Sequence, residues 1–338
     1  MFAHPFTRRS LLSTALLCAL AAAGCSKTDN ASSVGATSDL PVVGIVQLVE
    51  HEALDASVSG FIESLKKHGF EDGVTVRFDR QNAQGDQETL KNITARFVSE
   101  KAKLIFAVST PAAQAAARGA KDTPIVATAV TSFTAAKLAE SDEAPNGNVT
   151  GVSNIGPIDR QFDLLMKLTG GNPEKKPFGI IYNTGEVNST FQAEIFKSAA
   201  KAAGVPVLEA SASSVNDIQQ AVLSLTGKVA GLWFPTDNVL ASGAAILAKA
   251  ANDARIPTVP GDSALVRQGL LATIAVDYPT LGRMSGDMAA EILTGKNVPA
   301  KMPIQRQEAQ APIINLKTAA AIGLAIPKDV LEGAETLR

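Results

Sequence analysis

The chain has 338 residues, a formal net charge of −2 at pH 7, 46% hydrophobic residues and only 5% aromatic residues. This balance is typical of a globular protein with an aliphatic core, and the length suits two domains or one two-lobed unit. The mild acidity, without a basic patch, argues against nucleic-acid binding. His51 and His68 are not in metal-ligand spacing, so a zinc site is not expected. No cofactor is predicted.

The N-terminus predicts export. Arg8 and Arg9 precede the apolar run Leu11–Ala23, and small residues stand directly before Cys25. This order is typical of a secretory signal peptide over residues 1–24, and the run is too short for the roughly 20 residues of a membrane span. It resembles a bacterial lipoprotein signal, which implies lipidation at Cys25. The alternative is a plain secretory signal with a chance cysteine.

Two export routes remain open, because Arg8 and Arg9 either form part of a twin-arginine signal or only the positive region of a general secretory signal. Removing residues 1–24 takes away these two arginines and no acid, so the net charge moves from −2 to −4. The remaining chain keeps Cys25 but not Cys18, so no disulfide is expected. Residues 25–40 are predicted to be the lipidated cysteine and a flexible polar tether.

Beyond the tether, short apolar runs alternate with segments of helical period. The predicted strands of this first part are 42–46, 75–78, 104–108 and 125–129, and the predicted helices are 56–67, 87–100 and 112–119. Strands and helices that alternate in this way predict a parallel sheet covered by helices on both faces.

The same pattern starts again at Phe178. Strands are predicted at 178–182, 205–209, 230–234 and 256–259, and helices at 190–203, 217–225 and 239–254. The segment that begins KLIFAVSTPAAQAAA in the first copy aligns with AGLWFPTDNVLASGAA in the second. The sequence therefore predicts an α/β fold of two similar, doubly wound parallel-sheet lobes.

No motif of nucleotide or acyl chemistry is present. The chain has no Gly-x-Gly-x-x-Gly, no Gly-x-x-x-x-Gly-Lys-Ser/Thr and no Gly-x-Ser-x-Gly. An exported enzyme that uses Glu50 or His51 as acid or base stays open as an alternative, but no nucleophile–base spacing supports it. We therefore expect no enzyme.

Ligands of open α/β sheets bind at the carboxyl ends of the strands, where this chain is rich in hydroxyls, amides and carboxylates. Ser109 and Thr110 stand at a helix start, with Thr131 on a neighbouring strand end, and could hold a carboxylate. Asp237 and Asp262, with Glu186 and Asn183, could hold an ammonium group. The predicted ligand-binding residues are Gln47, Glu50, Gln84, Ser109, Thr110, Thr131, Asn183, Asn188, Thr236, Asp237, Asp262 and Asp277.

Opposite polarity on two facing lobes predicts a clamp for a zwitterion such as an amino acid. Plainer interpretations stay open: Ser109 and Thr110 could only cap a helix, Asp262 could be a turn residue, and Glu50 could lie in an exposed loop. Trp233 lies within a strand run and is expected in the core.

Several segments together resemble one family. QLVEHEALDASVSGF, NAQGD, STPAAQAAA, NVTGVS, PTDN and VDYPTLGR occur in order within residues 41–327 and look like the ABC-transporter substrate-binding lipoproteins often described as tryptophan/tyrosine binding. The resemblance implies a type I periplasmic binding protein: a monomer that closes on an amino acid and docks on an ABC permease with its ATPase. Glu52 stands where the family usually has proline.

This architecture implies a three-segment hinge, with crossings near 151–156, 277–282 and 310–313. One lobe would then comprise residues 41–153 plus 281–311, and the other residues 154–280 plus 312–330. The expected function is extracytoplasmic solute binding for import, in the periplasm and anchored to the membrane by lipid. A lipoprotein that passes ligand binding to a membrane receptor is the alternative.

Overall fold

The computed structural model describes residues 40–338, except 173, 175 and 309. The predicted signal peptide, the predicted lipidation site Cys25 and nearly all of the tether predicted over residues 25–40 lie outside these residues. No helix in the part of the chain that the structure describes is long and apolar enough to cross a membrane.

Strands and helices alternate along most of the chain. The strands are β1 Val42–Gln47, β2 Arg77–Asn82, β3 Leu104–Val108, β4 Ile125–Val130, β5 Val149–Ser153, β6 Phe178–Tyr182, β7 Val207–Ser211, β8 Gly231–Phe234, β9 Thr258–Pro260, β10 Ala272–Thr273, β11 Gln305–Arg306, β12 Ile313–Asn315 and β13 Glu335–Leu337. The helices are α1 Glu52–Lys67, α2 Gln87–Ser99, α3 Thr110–Gly119, α4 Ile158–Leu168, α5 Val187–Ala202, α6 Ile218–Leu225, α7 Asn238–Ser242, α8 Ala244–Asp253, α9 Ser263–Arg267, α10 Tyr278–Leu293, α11 Leu316–Ile322 and α12 Lys328–Leu331.

The strands form two main parallel sheets. One has the order β11-β5-β4-β3-β1-β2 and the other the order β7-β6-β8-β9. A small third sheet has the order β10-β12-β13. We call the six-stranded sheet with its helices the first lobe, and the four-stranded sheet with its helices the second lobe. The predicted α/β fold with parallel sheets is confirmed; the predicted residue spans of the lobes stay a prediction.

The central strands of each main sheet are buried on both faces, which explains their continuous apolar sequences. In β1, Val42 and Val46 pack in the core on one face of the sheet, while Val43 and Ile45 pack in the core on the other. Side chains of a strand alternate between faces, so a strand buried on both sides must be apolar throughout.

Helices α1 and α10 cross with their backbones in contact. A Cβ atom at Gly282 would lie 2.0 Å from the Ser57 carbonyl oxygen, and one at Gly60 would lie 2.2 Å from the Pro279 carbonyl oxygen. Only glycine permits this approach. The crossing fixes α10, which follows directly on the loop after β10, against the first lobe.

Trp233, in β8, lies fully buried in the core of the second lobe. Its ring stacks on Phe196 with the centroids 4.5 Å apart. Its Nε1 donates to Gln161 Oε1 at 2.9 Å, and Gln161 Nε2 donates to the Ile274 carbonyl at 2.8 Å. The buried indole N–H thus has a hydrogen-bond acceptor within the protein and does not need water.

Several predicted elements differ from the structure at their ends; the strand predicted at 205–209, for example, lies at Val207–Ser211. The strand predicted at 75–78 lies at Arg77–Asn82, because this polar edge strand pairs only with β1 and carries no long apolar run. The helix predicted at 239–254 is two helices that meet at Gly243, where a Cβ atom would lie 2.3 Å from Ile218 Cδ1. Close packing of the α6 helix start against Gly243 accompanies this break.

Candidate ligand-binding site

Residues of both lobes enclose a small cavity at the carboxyl ends of the strands, which we call the inner cavity. Its volume is about 20 Å³, which is room for about one water molecule. The first lobe contributes the start of α1, β4, the residue after β5 and α10, whereas the second contributes α5, α7 and the loops after β8 and β9. The lining residues are His51, Leu54, Ala129, Asn154, Asn188, Thr236, Asp237, Asn238, Ala241, Asp262 and Tyr278.

Asp262 presents a carboxylate oxygen to this region. It is the N-cap of α9, and its Oδ1 accepts from the Ala264 N–H at 2.7 Å. Within the described residues, Oδ2 takes part in no hydrogen bond. Burial, opposed by this cap and reinforced by the charge of Glu52, raises the pKa of Asp262 to about 6.

Asp237 also lines the inner cavity, but both of its oxygens are engaged. Oδ1 accepts from the N–H groups of Val239 and Leu240 at 3.0 and 3.1 Å, capping α7. Oδ2 accepts from the Asn183 N–H and the Ser189 hydroxyl, both at 2.7 Å. Burial raises the pKa of Asp237 above its ordinary value. Through these hydrogen bonds Asp237 holds the loop after β6 against the start of α7.

Glu186 is the third buried acid. Its Oε2 accepts from Asn188 Nδ2 at 2.9 Å and from Asn238 Nδ2 at 2.6 Å. Burial, and next the charge of Asp237, raise the pKa of Glu186 to about 7. Asn188 Nδ2 also donates to the Thr236 carbonyl, whereas its buried Oδ1 has no partner among the residues described. An acceptor without a donor next to a polar cavity suits a ligand N–H group.

Two contacts join the lobes at the start of α1. His51 Nε2 lies 3.4 Å from Asn238 Oδ1. Because Asn238 Nδ2 donates to Glu186, its Oδ1 is the acceptor, so the His51 Nε2 carries the proton. Burial lowers the pKa of His51 to about 4, so the ring is neutral near pH 7. Gln268 Nε2 donates to Glu52 Oε2 at 3.2 Å.

A buried hydrogen-bond network continues between the lobes. Gln192 Nε2 donates to Thr236 Oγ1 at 2.7 Å and to Thr131 Oγ1 at 3.2 Å. Thr131 Oγ1 donates to Asn154 Oδ1 at 3.3 Å, and Asn154 Nδ2 donates to the Tyr278 hydroxyl at 2.9 Å. Thr131 therefore helps to hold the lobes together and does not line the inner cavity.

Ser109 is the N-cap of α3, where its Oγ accepts from the Ala112 N–H at 3.3 Å. It has a φ of 101°, a strained conformation for a residue with a Cβ atom. The hydroxyl of Thr110 is buried and has no partner among the described residues. Neither side chain lines the inner cavity, but the next residue, Pro111, lines a groove between the lobes.

This second space, the outer groove, has a volume of about 570 Å³ and lies between the strand ends of the two lobes. Gln84 lines it from the first lobe, and Asn183 and Glu186 line it from the second. Asn238 lines both the outer groove and the inner cavity, which places the two spaces side by side.

The structure divides the twelve predicted site residues into four groups. Asn188, Thr236, Asp237 and Asp262 line the inner cavity, and Gln84 and Asn183 line the outer groove. Gln47 and Glu50 line a separate cavity of about 270 Å³ on the first lobe, together with Arg80. Ser109, Thr110, Thr131 and Asp277 line none of these three spaces; Asp277 caps α10 by accepting from the Thr280 N–H at 2.9 Å. Their part in ligand binding stays a prediction.

Four polar residues of the inner cavity were not among the predicted ligand-binding residues: His51, Asn154, Asn238 and Tyr278. Asn154 directly follows β5 and Asn238 begins α7, so the rule of strand ends could have found both. Tyr278 comes from the start of α10, far along the chain, and no local pattern indicates its position. No group of three or more His, Cys, Asp or Glu side chains that could hold a metal ion occurs in residues 40–338 outside the three gaps.

Comparison with known proteins identifies the family of this chain. Residues 42–337 match the family model of the ABC transporter substrate binding protein. A tyrosine-binding protein of Clostridioides difficile strain R20291 is 41% identical over 306 residues, which cover 89% of this chain and 88% of the relative.

Two solved structures also match. An ABC domain from Streptococcus pneumonia in complex with L-Trp is 33% identical, with a TM-score of 0.83 over 88% of this chain and 100% of that one. The ligand-free, open structure of a Clostridium difficile substrate-binding protein with adhesive properties is 38% identical, with a TM-score of 0.68 over 88% of this chain and 99% of that one. The present structure is therefore closer to the complex than to the open form. The chain belongs to the family of ABC transporter substrate-binding proteins, with the fold of type I periplasmic binding proteins.

Proposed function

We propose that this protein is a lipoprotein, anchored outside the cytoplasm through Cys25, that binds an aromatic amino acid between its lobes and delivers it to an ABC permease with its ATPase. The ligand class is supported by relatives named for tyrosine binding and solved with L-Trp. The anchor is supported by the order of charged, apolar and small residues before Cys25.

The observation that carries the proposal is the set of buried carboxylates at a cavity between the lobes. In the described chain no Lys or Arg lines the inner cavity to neutralise Asp262. A buried carboxylate without a cation is costly, and a ligand ammonium group removes that cost. We assign the ammonium to Asp262 Oδ2 and Asn188 Oδ1, because neither oxygen accepts a hydrogen bond from any of the residues that the structure describes.

The ligand carboxylate is assigned to the start of α3. This ten-residue helix directs its positive dipole end toward the cleft side of the sheet, where the dipole and the Thr110 N–H would attract an anion; Pro111 has no N–H, and the Ala112 N–H is already bound to Ser109 Oγ. Thr110 adds a buried hydroxyl that has no hydrogen-bond partner within the described part of the chain. A zwitterion held at both ends would bridge the lobes, and its binding would favour their closed arrangement.

Thermal unfolding of residues 26–338, first unfolded and refolded to remove carried-over ligand, tests the proposal against a panel of amino acids. A ligand at 100 times its Kd adds about 2.7 kcal/mol of stability, which raises Tm by several degrees. Asp262→Asn should abolish the shift given by tyrosine or tryptophan. Asp122→Asn, at an exposed position, is the matched control. No shift with any amino acid would contradict the proposed ligand class.

The anchor is tested separately. Cys25→Ser should move the protein from the membrane fraction to the soluble extracytoplasmic fraction and remove the lipid mass from its N-terminus. A variant that stays in the membrane would exclude anchoring through Cys25.

A further inference from the structure

The outer groove lies beside the inner cavity, and Asn238 lines both spaces. Glu186 lines the groove, while its Oε2 binds the side chains of Asn188 and Asn238 at the cavity. A ligand whose amine reaches Asp262 could therefore extend past these amides into the groove.

The two spaces differ greatly in size. The inner cavity of about 20 Å³ leaves room for a small head group, whereas the outer groove of about 570 Å³ lies within the range of 300–1,000 Å³ that is usual for ligand pockets. The inner cavity cannot hold the bulk of an aromatic amino acid, whereas the neighbouring groove is large enough for it.

The groove has apolar walls on both sides. Leu48, Val49 and Pro111 line it from the first lobe, and Val215 and Val239 line it from the second. An apolar side chain between these walls would be removed from water by both lobes at once. The free energy gained by burying this side chain is therefore available only when the lobes are closed. A larger apolar side chain should favour closure more strongly.

The charges of the groove disfavour an acidic side chain. Asp86 and Glu186 line it, and none of its described lining residues is Lys or Arg. Asp86 is already engaged as the N-cap of α2, where its Oδ1 accepts from the Thr89 N–H and hydroxyl, both at 2.7 Å. A carboxylate on the side chain of the ligand would meet like charge without a counter-ion, which favours a neutral side chain.

We infer that the outer groove receives the side chain of the bound amino acid, and that Val49 and Val215, on opposite lobes, make the protein select large apolar side chains. This inference rests on the proposed function, since it assigns the part of the ligand that the polar inner cavity does not hold.

The test replaces one wall residue on each lobe. Val49→Trp and Val215→Trp, made in the full-length protein, fill the groove from opposite sides without touching the acids of the inner cavity. Val298→Trp is the matched control, because Val298 is 49% exposed and outside the groove. Isothermal titration measures Kd for L-Ala, L-Leu, L-Tyr and L-Trp with each protein.

In the wild type, affinity should rise with side-chain size. Each groove variant should bind L-Tyr and L-Trp at least tenfold more weakly, while Val298→Trp should stay within twofold. Should one variant fail to fold, as circular dichroism would show, the variant on the other lobe decides. Wild-type-like Kd values for L-Tyr and L-Trp in a folded groove variant would overturn the inference and leave the proposed function standing. A wild type that binds no amino acid would overturn both.

Discussion

The pKa of Asp262 leads to a quantitative prediction about pH. Burial raises this pKa to about 6 in the closed protein, and an ammonium ligand needs the ionised carboxylate. About 91% of a group with this pKa is ionised at pH 7 and about 9% at pH 5. Affinity should therefore fall roughly tenfold, or about 1.4 kcal/mol, between pH 7 and pH 5.

Neighbouring groups do not reverse this direction. Glu186, with a pKa raised to about 7, also ionises as the pH rises and favours a cation. His51, with a pKa lowered to about 4, stays mostly neutral across this range.

The stability of the ligand-free protein should change with pH in the opposite direction to ligand affinity. The raised pKa of Asp262 contributes stability that is present below its unfolded pKa of about 4 and is lost as the pH rises through about 6.

Isothermal titration with L-Tyr or L-Trp at pH 5, 6, 7 and 8 measures the effect. Repeating the pH 6 titration in buffers of different ionisation enthalpy counts the protons released, which should be about 0.5 per ligand from Asp262. Acetate and phosphate controls in the absence of protein correct for dilution. A wild-type Kd that is constant within twofold between pH 5 and pH 7 would refute the assignment of the amine to Asp262.

Two further predictions concern single residues. Gly282→Ala places a Cβ atom 2.0 Å from the Ser57 carbonyl oxygen, and we expect this clash to reduce stability by about 2 kcal/mol. The higher helix propensity of alanine should offset only ~1 kcal/mol of this loss. Thermal unfolding checks this against Gly147→Ala, where the nearest atom would lie 3.9 Å away; equal Tm values for the two variants would contradict the packing argument. Glu52→Gln removes a charge that raises the pKa of Asp262, so the pH midpoint of binding should move to lower pH. An unchanged midpoint would show that Glu52 does not act on Asp262.

The parts of the fold that were predictable are those with strong local signals. β3 and β6 begin and end at the predicted residues, because each is a continuous apolar run buried on both faces. β2 was misplaced because an edge strand with the sequence RFDRQN follows no apolar pattern. The break at Gly243 is accompanied by close packing against Ile218 of another helix, and the local sequence gives no sign of that contact.

The site was predictable to the extent that it follows the rule of strand ends. Asp262 and Thr236 were found in this way and line the inner cavity. The same rule also selected Gln47, whose Nε2 instead donates to Asp55 Oδ1 at 2.7 Å beside a different cavity. The direction in which a strand-end side chain points depends on packing, and it could not be predicted from position along the chain. The contact between His51 and Asn238 needs both lobes in place.

The position of Trp233 has a spectroscopic consequence. It is the chain's single tryptophan, fully buried against Phe196 and outside both the inner cavity and the outer groove. Its emission should therefore report whether the second lobe is folded and should respond little to a tyrosine ligand. Intrinsic fluorescence is thus a natural probe for unfolding curves and a poor one for titrations, and the emission of a bound tryptophan ligand can be measured against a nearly constant background.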